Sequence, residues 1–335
     1  MLMKKAYIKY VTYFLPERIV TNEEIVRDFP EWSVEKITEK VGVKQRHVAA
    51  DDETATDLAE KAAQRLIEEN NIDRSSIDFV ILCTQSPDYF LPTSACLLQE
   101  RLGLREDIGA FDFNLGCSGF VYGLAVAKGL IAGGVADNVL LLTSETYNKY
   151  LHPRDKGNRT IFGDAASATL VSSEGQIEIC DFALGTNGKG ANNLIVKSGA
   201  SRLREKQNDV TFDKNGNPVS SDHLYMNGAQ IYVFTQRNVP KVVNEVLEKN
   251  HLAKEDIDLF VLHQANQYML DFLRKKMGIP EDRFFMFMEN VGNTVSSSIP
   301  VCLTEAQREN RLKGNVLLCG FGVGYSWGAV VLKIS

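Results

Sequence analysis

Residues 66–85 read LIEENNIDRSSIDFVILCTQ, and residues 246–265 read VLEKNHLAKEDIDLFVLHQA. The two align without a gap at an offset of 180 residues, and Glu68/Glu248, Asn70/Asn250, Ile77/Ile257, Asp78/Asp258 and Leu82/Leu262 are identical. A second echo follows at nearly the same spacing: NVLLLTSE at 138–145 against NVLLCGFG at 315–322. Each longer segment closes an amphipathic helix, turns through polar residues and enters a buried strand. Ordered self-similarity of this kind points to a duplicated α/β unit. The length of 335 residues agrees, because a single core stops growing near roughly 250–300 residues. We expect two halves, 1–173 and 174–335, each with an apolar sheet under helices and with a site at the strand ends where they meet. Within the repeat Cys83 aligns with His263, so one half carries a different polar group at an equivalent strand end.

The remaining elements fit that plan. AYIKYVTYF near the N-terminus alternates like a first strand, and Lys9 breaks the apolar run a leader peptide would need. Helices are expected over 54–70, 93–102, 119–132, 226–249 and 266–277. Residues 159–171 pass from a Gly-Asp turn into a strand, and VLLCGF and GAVVLKI read as closing strands. The Gly-, Asn-, Ser- and Lys-rich stretch 185–225 reads as long loops with short strands, a candidate flap. A net charge of −6 without long basic runs disfavours nucleic acid, and the absence of an 18-residue apolar run disfavours a membrane span. None of the six cysteines forms a CxxC pair, so neither a metal ribbon nor a dithiol redox site is expected. The compartment reads as reducing and cytoplasmic. Cys83, Cys96, Cys180, Cys302 and Cys319 lie on apolar runs and read as buried structural thiols.

Cys117 stands apart. In FNLGCSGFVYG it lies between Gly116 and Gly119, after an alternating strand AFDFNL and before an apolar helix. Strand, tight turn and helix raise a nucleophile on an elbow, and the two glycines allow close backbone approach and unusual torsions. Free N–H groups at the helix start favour thiolate: lowering the thiol from roughly 8.5 to about 7 would leave roughly half of it ionised at neutral pH. A reactive thiol needs a partner. His263 ends the apolar run IDLFVL, whereas His47, His152, His223 and His251 have polar surroundings without a distinctive frame. His263 reads either as that partner or as a strand-end cap. Asn293, in MENVGNTVSSSIPVCL, reads as a turn or cap asparagine or as a third polar group of a site. The four glycines of CGFGVGYSWG, 319–328, suit a turn that offers backbone N–H groups to an oxyanion.

Taken together, these segments resemble the β-ketoacyl-acyl-carrier-protein synthase III enzymes of the thiolase-like superfamily. The likeness runs from YIKYVTYFLPERIVTNEEI through GVKQRHVAADDETATDLA, SPDYFLPTSACLLQERLG, NLGCSGFVYG, IFGDAASATLV, HQAN and GNTVSSSIP to GFGVGYSWG. It implies a duplicated thiolase-like α/β fold in five layers, α-β-α-β-α, and a homodimer. It also implies a Cys117–His263–Asn293 triad, with the N–H groups of Cys117 and Val323 as the oxyanion site. Cys117 would take an acyl group from acyl-CoA or acyl carrier protein. A malonyl thioester on acyl carrier protein would then lose CO2 while His263 and Asn293 donate to its thioester oxygen, and the carbanion would attack the acyl-cysteine. The resemblance implies neither metal nor organic cofactor. Acyl transfer from Cys117 to an alcohol or amine, and an inactive scaffold subunit, are the other readings. Lys36 and Lys40 stand where the family has the tryptophan and arginine of its adenine clasp, with Trp32 four residues earlier, and Lys156 stands where it has a second arginine. Tyr268 replaces an arginine after HQAN. Arg274, Lys275 and Lys276 read as carrier contacts or as a solvated helix end. Leu91 stands where a phenylalanine reaches into the partner subunit's acyl pocket. These departures suggest a specialised pathway.

Overall fold

The computed structural model describes residues 4–214 and 216–335. The first three residues of the N-terminal stretch and Asn215 of the candidate flap lie outside the described residues. Strands are labelled β1 Tyr7–Phe14, β2 Phe79–Cys83, β3 Gly109–Phe113, β4 Asn138–Glu145, β5 Ala165–Ser172, β6 Ile177–Thr186, β7 Leu259–Leu262, β8 Phe284–Phe285, β9 Gly314–Gly322 and β10 Ser326–Ile334. Helices are α1 Ala55–Glu69, α2 Ser94–Arg101, α3 Gly119–Ala132, α4 Gly228–Lys249, α5 Gln267–Met277 and α6 Ser298–Arg308.

The ten strands run β8-β7-β9-β10-β6-β1-β5-β4-β2-β3. From the centre outward the two halves are topological copies. β2 pairs in parallel with β3 and β4, as β7 does with β8 and β9. β4–β5 and β9–β10 are antiparallel. The two half-sheets join where Tyr7 and Ile8 of β1 meet Glu178 and Ile177 of β6.

Both faces of each half are covered, which explains why the parallel strands are apolar throughout rather than alternating. On one face of the first half Val80, Leu82 and Leu140 pack under Leu58, Leu66 and Leu98 of α1 and α2. On the second, Phe260 and Leu317 pack under Val242, Val246 and Leu273 of α4 and α5. The opposite faces, with Ile81 and Leu141 from one half and Val261 and Leu318 from the other, share a core with Phe120 and Leu124 of α3 and Ile299 and Leu303 of α6. The layers are therefore α1/α2, sheet, α3/α6, sheet, α4/α5, and the paired inner helices bring the two halves together.

The repeated residues repeat their local work. Asn70 Nδ2 donates to Leu66 O (2.9 Å), and Asn250 Nδ2 to Val246 O (2.7 Å). The Asp78 carboxylate accepts from the N–H of Asn138 (3.0 Å), and that of Asp258 from the N–H of Asn315 (2.9 Å). α1 opens on a reciprocal capping box between Thr54 and Asp57. Among the described residues of 187–226 the regular elements are a 3-10 turn and short two-residue strands, as expected for loops with little regular pairing. Among the described residues no helix is long and apolar enough to cross a membrane, and no group of His, Cys, Asp or Glu is arranged to hold a metal ion.

Candidate active site

Cys117 lies on the turn between β3 and α3, and is 7% exposed. Gly119 N–H donates to Gly116 O (2.7 Å) to close that turn. A side chain at Gly119 would collide with Cys83 Sγ, so the glycine meets a need for close approach. Neither Gly116 nor Gly119 has a positive φ, which corrects the expectation of unusual torsions there. The glycine turn after β9 rests on the cysteine: a Cβ at Gly322 would sit 2.9 Å from Cys117 Sγ. Ser326 Oγ contacts Ser118 Oγ (2.6 Å) and donates to Val323 O (2.8 Å), fixing one turn on the other.

The sulfur does not have the low pKa expected of a helix start. Burial pushes the Cys117 thiol up to about 12, and the Glu145 carboxyl adds to the rise. Backbone hydrogen bonds at Cys117 and Val323 pull the other way without overcoming it. Loss of hydration outweighs a partial helix charge, which contributes about 2 kcal/mol at most.

His263 is the first residue after β7 and is 2% exposed. Its N–H donates to Cys319 O (2.9 Å), and its ring packs edge-on against Phe321, one residue before Gly322. The same stretch of β9 thus touches both His263 and Cys117. Burial pushes the imidazole down to about 3, only partly offset by a backbone hydrogen bond at Val295, so the ring is neutral. Nδ1 lies 2.7 Å from Ser298 Oγ. Ser298 donates its own proton to Val295 O (3.0 Å), so its oxygen accepts from Nδ1–H. The lone pair is left on Nε2.

Asn293 is 5% exposed and bridges to Phe162. Its Oδ1 accepts from Val295 N–H (2.9 Å), and Nδ2 donates to Ala265 O at 3.4 Å, two residues beyond His263. With the oxygen engaged, the amide keeps N–H capacity to spare. Val295 packs in one apolar cluster with Cys117, Tyr147, Leu151, Phe162, Leu194 and Leu224. Leu194 and Leu224 come from the candidate flap, which is tied to the glycine turn by Asn193 Nδ2 donating to Tyr325 OH (2.8 Å).

The other expected residues lie outside that cluster. Lys36 Nζ sits 5.5 Å from the Trp32 ring centroid, and Lys156 Nζ pairs with Glu31 (2.9 Å). Trp32 is partly buried against the core of the second half. Lys40 is exposed on the last turn of the short helix Val34–Val41. Arg274 turns back to Glu281 (3.5 Å) and Ile279 O at the end of α5, which is helix-end work, whereas Lys275 and Lys276 are exposed. Leu91 is 82% exposed beside Phe90 at 84%. Cys96 is exposed and Cys180 half-buried, correcting the expectation that all five remaining thiols are buried. Three residues of the site escaped the sequence reading: Glu145, Val295 and Ser298. The available signals were a lone carboxylate ending the apolar run NVLLLTSE and three consecutive serines after Asn293.

Known proteins resemble the chain along nearly its whole length. Residues 111–188 match the model of 3-oxoacyl-[acyl-carrier-protein] synthase III, and residues 247–334 match that of its C-terminal part. The β-ketoacyl-[acyl-carrier-protein] synthase III of Clostridium perfringens is 35% identical over 335 residues, covering 99% of this chain and 100% of the relative. A crystal structure of a 3-oxoacyl-(acyl-carrier-protein) synthase III is 49% identical with a TM-score of 0.96, covering 98% of this chain and 100% of the other. The Burkholderia xenovorans 3-oxoacyl-(acyl-carrier protein) synthase is 34% identical with a TM-score of 0.90, covering 99% and 95%. Relatives alike from end to end, one of them 35% identical over 99% of the chain, show that the chain belongs to the 3-oxoacyl-[acyl-carrier-protein] synthase III family.

Proposed function

We propose that this chain performs decarboxylative Claisen condensation with Cys117 as the acyl carrier, and His263 and Asn293 as its polar partners. The reading rests on one arrangement: His263, its Nδ1 committed to Ser298, and the buried Cys117 thiol both pack on the Phe321–Gly322 stretch of β9. Such a thiol needs a base, and Nε2 carries the free lone pair.

In the acylation step the Cys117 proton moves to Nε2 as sulfur attacks the donor thioester carbonyl. The tetrahedral oxyanion lies against the N–H groups of Cys117 and Val323, and the donor thiolate leaves. A malonyl thioester then enters. Its carboxylate departs as CO2, and the electron pair passes into an enolate. Asn293 Nδ2–H and the protonated Nε2–H donate to the enolate oxygen, where a carboxylate would repel it. The enolate carbon attacks the acyl-cysteine carbonyl, the C–S bond breaks, and the proton returns from Nε2 to sulfur. The chemistry draws on side chains and backbone groups, with acyl-CoA or acyl carrier protein as donor and malonyl carrier protein as acceptor.

The finer assignments are supported as follows. β5 ends at Ser172 and β6 opens at Ile177, in keeping with functional halves 1–173 and 174–335. The exposed Phe90 and Leu91 suit a homodimer in which Leu91 reaches the partner's acyl pocket. Lys36, Lys40 and Lys156 suit a phosphate-bearing donor more than a stacked adenine. Lys275 and Lys276 suit an acidic carrier. Six free thiols fit a reducing cytoplasm.

The test is intact-mass analysis with a panel of acyl thioesters, followed by malonyl carrier protein. Wild type should gain one acyl mass, lose it on malonyl addition and release CO2; Cys117→Ala should gain none. Acyl-Cys117 that releases no CO2 but passes its acyl group to an alcohol or amine would overturn the condensation.

A further inference from the structure

The turn Thr294–Ser298 is entirely buried, with every residue at 2% exposure or less. Val295 within it has φ +53°, a left-handed conformation that is a genuine outlier for a β-branched residue. Both candidate partners of the thiol hang on this residue's backbone. Its N–H donates to Asn293 Oδ1 (2.9 Å), and its carbonyl accepts from Ser298 Oγ (3.0 Å), which in turn accepts from His263 Nδ1. A strained backbone persists only where its surroundings over-determine it.

Three successive serines supply the surroundings, each aimed at a different side chain. Ser298 goes to His263, and Ser297 Oγ lies 2.8 Å from Thr143 Oγ1 of β4. Ser296 Oγ donates to Glu145 Oε1 (3.0 Å) at the end of the same strand. Glu145 is fully buried, and among the described residues no cation pairs with it. Its carboxyl also accepts from Gln85 N–H (3.1 Å) and Ser86 Oγ (3.3 Å), on the loop after β2. One carboxyl from the first half therefore gathers that loop and the turn from the second half. A buried, unpaired acid is costly to keep for packing alone.

We propose that Glu145 is a positioning residue for the decarboxylation step: through Ser296 it locks the strained Val295 turn and so fixes His263 and Asn293 as a pair. This rests on the condensation reading above. Acylation relies on Cys117 and two backbone N–H groups, and needs only the His263 lone pair, so it should tolerate some loosening. Decarboxylation needs two donors aimed at one oxygen, where a displacement of about 1 Å costs on the order of 100-fold.

The two steps are measured separately in wild type, Glu145→Ala, Glu145→Gln, Ser296→Ala and the Glu145→Ala/Ser296→Ala double variant. CO2 release should fall about 100-fold in Glu145→Ala and at least about 10-fold in Ser296→Ala, with acylation within about 3-fold of wild type. The double variant should be no worse than Glu145→Ala, because the Ser296 bond is already lost in Glu145→Ala. Glu145→Gln, whose amide can accept and donate in the same places, should recover most of the loss. Equal loss in both steps, or CO2 release within about 3-fold of wild type in Glu145→Ala, overturns the proposal while leaving condensation itself standing. A readout independent of turnover is the His263 Nδ1 proton in NMR spectra. Its resonance should be sharp in wild type and broadened by exchange in Glu145→Ala and Ser296→Ala; an unchanged signal also overturns the proposal.

Discussion

Cys117 shows how one residue can sit in two opposed fields. The helix start and the N–H groups of Cys117 and Val323 favour its thiolate, whereas burial and Glu145 favour its thiol, and burial wins. The sign is open to measurement. A thiol held up at about 12 keeps its proton across the neutral range, so its thiolate fraction rises about tenfold per pH unit from pH 6 to 10. The rate of Cys117 alkylation by iodoacetamide, followed by intact mass, should rise with pH throughout that range. A plateau beginning near pH 7 would restore the low-pKa thiolate. The position of Cys117 was legible because a thiol between glycines at a strand–helix junction has few other uses. Its ionisation was not, because desolvation depends on residues such as Glu145 that approach from other strands.

At the scale of elements, the repeat is carried by small devices that recur with the topology. Asp78 accepts from the N–H groups of Asp137 and Asn138 and also pairs with Arg105; Asp258 accepts from Asn315. Each pins the start of a parallel strand to its neighbour. Asp78→Ala and Asp258→Ala should each cost about 1–2 kcal/mol in urea unfolding, with Asp78→Ala the larger, since a hydrogen bond to a charged group contributes about 1.5–3 kcal/mol and partial exposure reduces it. A silent Asp258→Ala would mean that the identity is inherited without a present role. The matching helix–turn–strand units were legible for the same reason: their contacts are local. The serine run 296–298 was legible as a polar turn and no further. Which strand each hydroxyl meets is fixed by the packing of the turn Val295–Ser297 against β4 and of α6 against β7, contacts far apart in sequence.

The whole molecule leaves Tyr89, Phe90 and Leu91 exposed on the loop before α2, at 61%, 84% and 82%. A contiguous apolar tip of this kind marks an interaction site. Sedimentation of the wild type should give a dimer, and Phe90→Asp/Leu91→Asp should shift it toward monomer with reduced acylation by longer acyl donors. A wild-type monomer at micromolar concentration would remove the partner-borne pocket residue. The candidate site also belongs to this scale, because Cys117 comes from one half, and His263 and Asn293 from the other, and they are linked through the β9 turn and the Val295 turn, which the fold lays against Cys117.

By itself the sequence determined the duplicated architecture, the strand-end positions of Cys117 and His263, the turn that carries Asn293 and the glycine-rich approach to the sulfur. These follow from periodicity, turn chemistry and spacing, which are properties of neighbouring residues. Only the tertiary structure decided the protonation of Cys117 and His263, the commitment of Nδ1 to Ser298, the strain at Val295 and the clamp at Glu145. Those depend on which distant groups remove water from one another, and water is displaced by the folded surface as a whole, not by any segment of it.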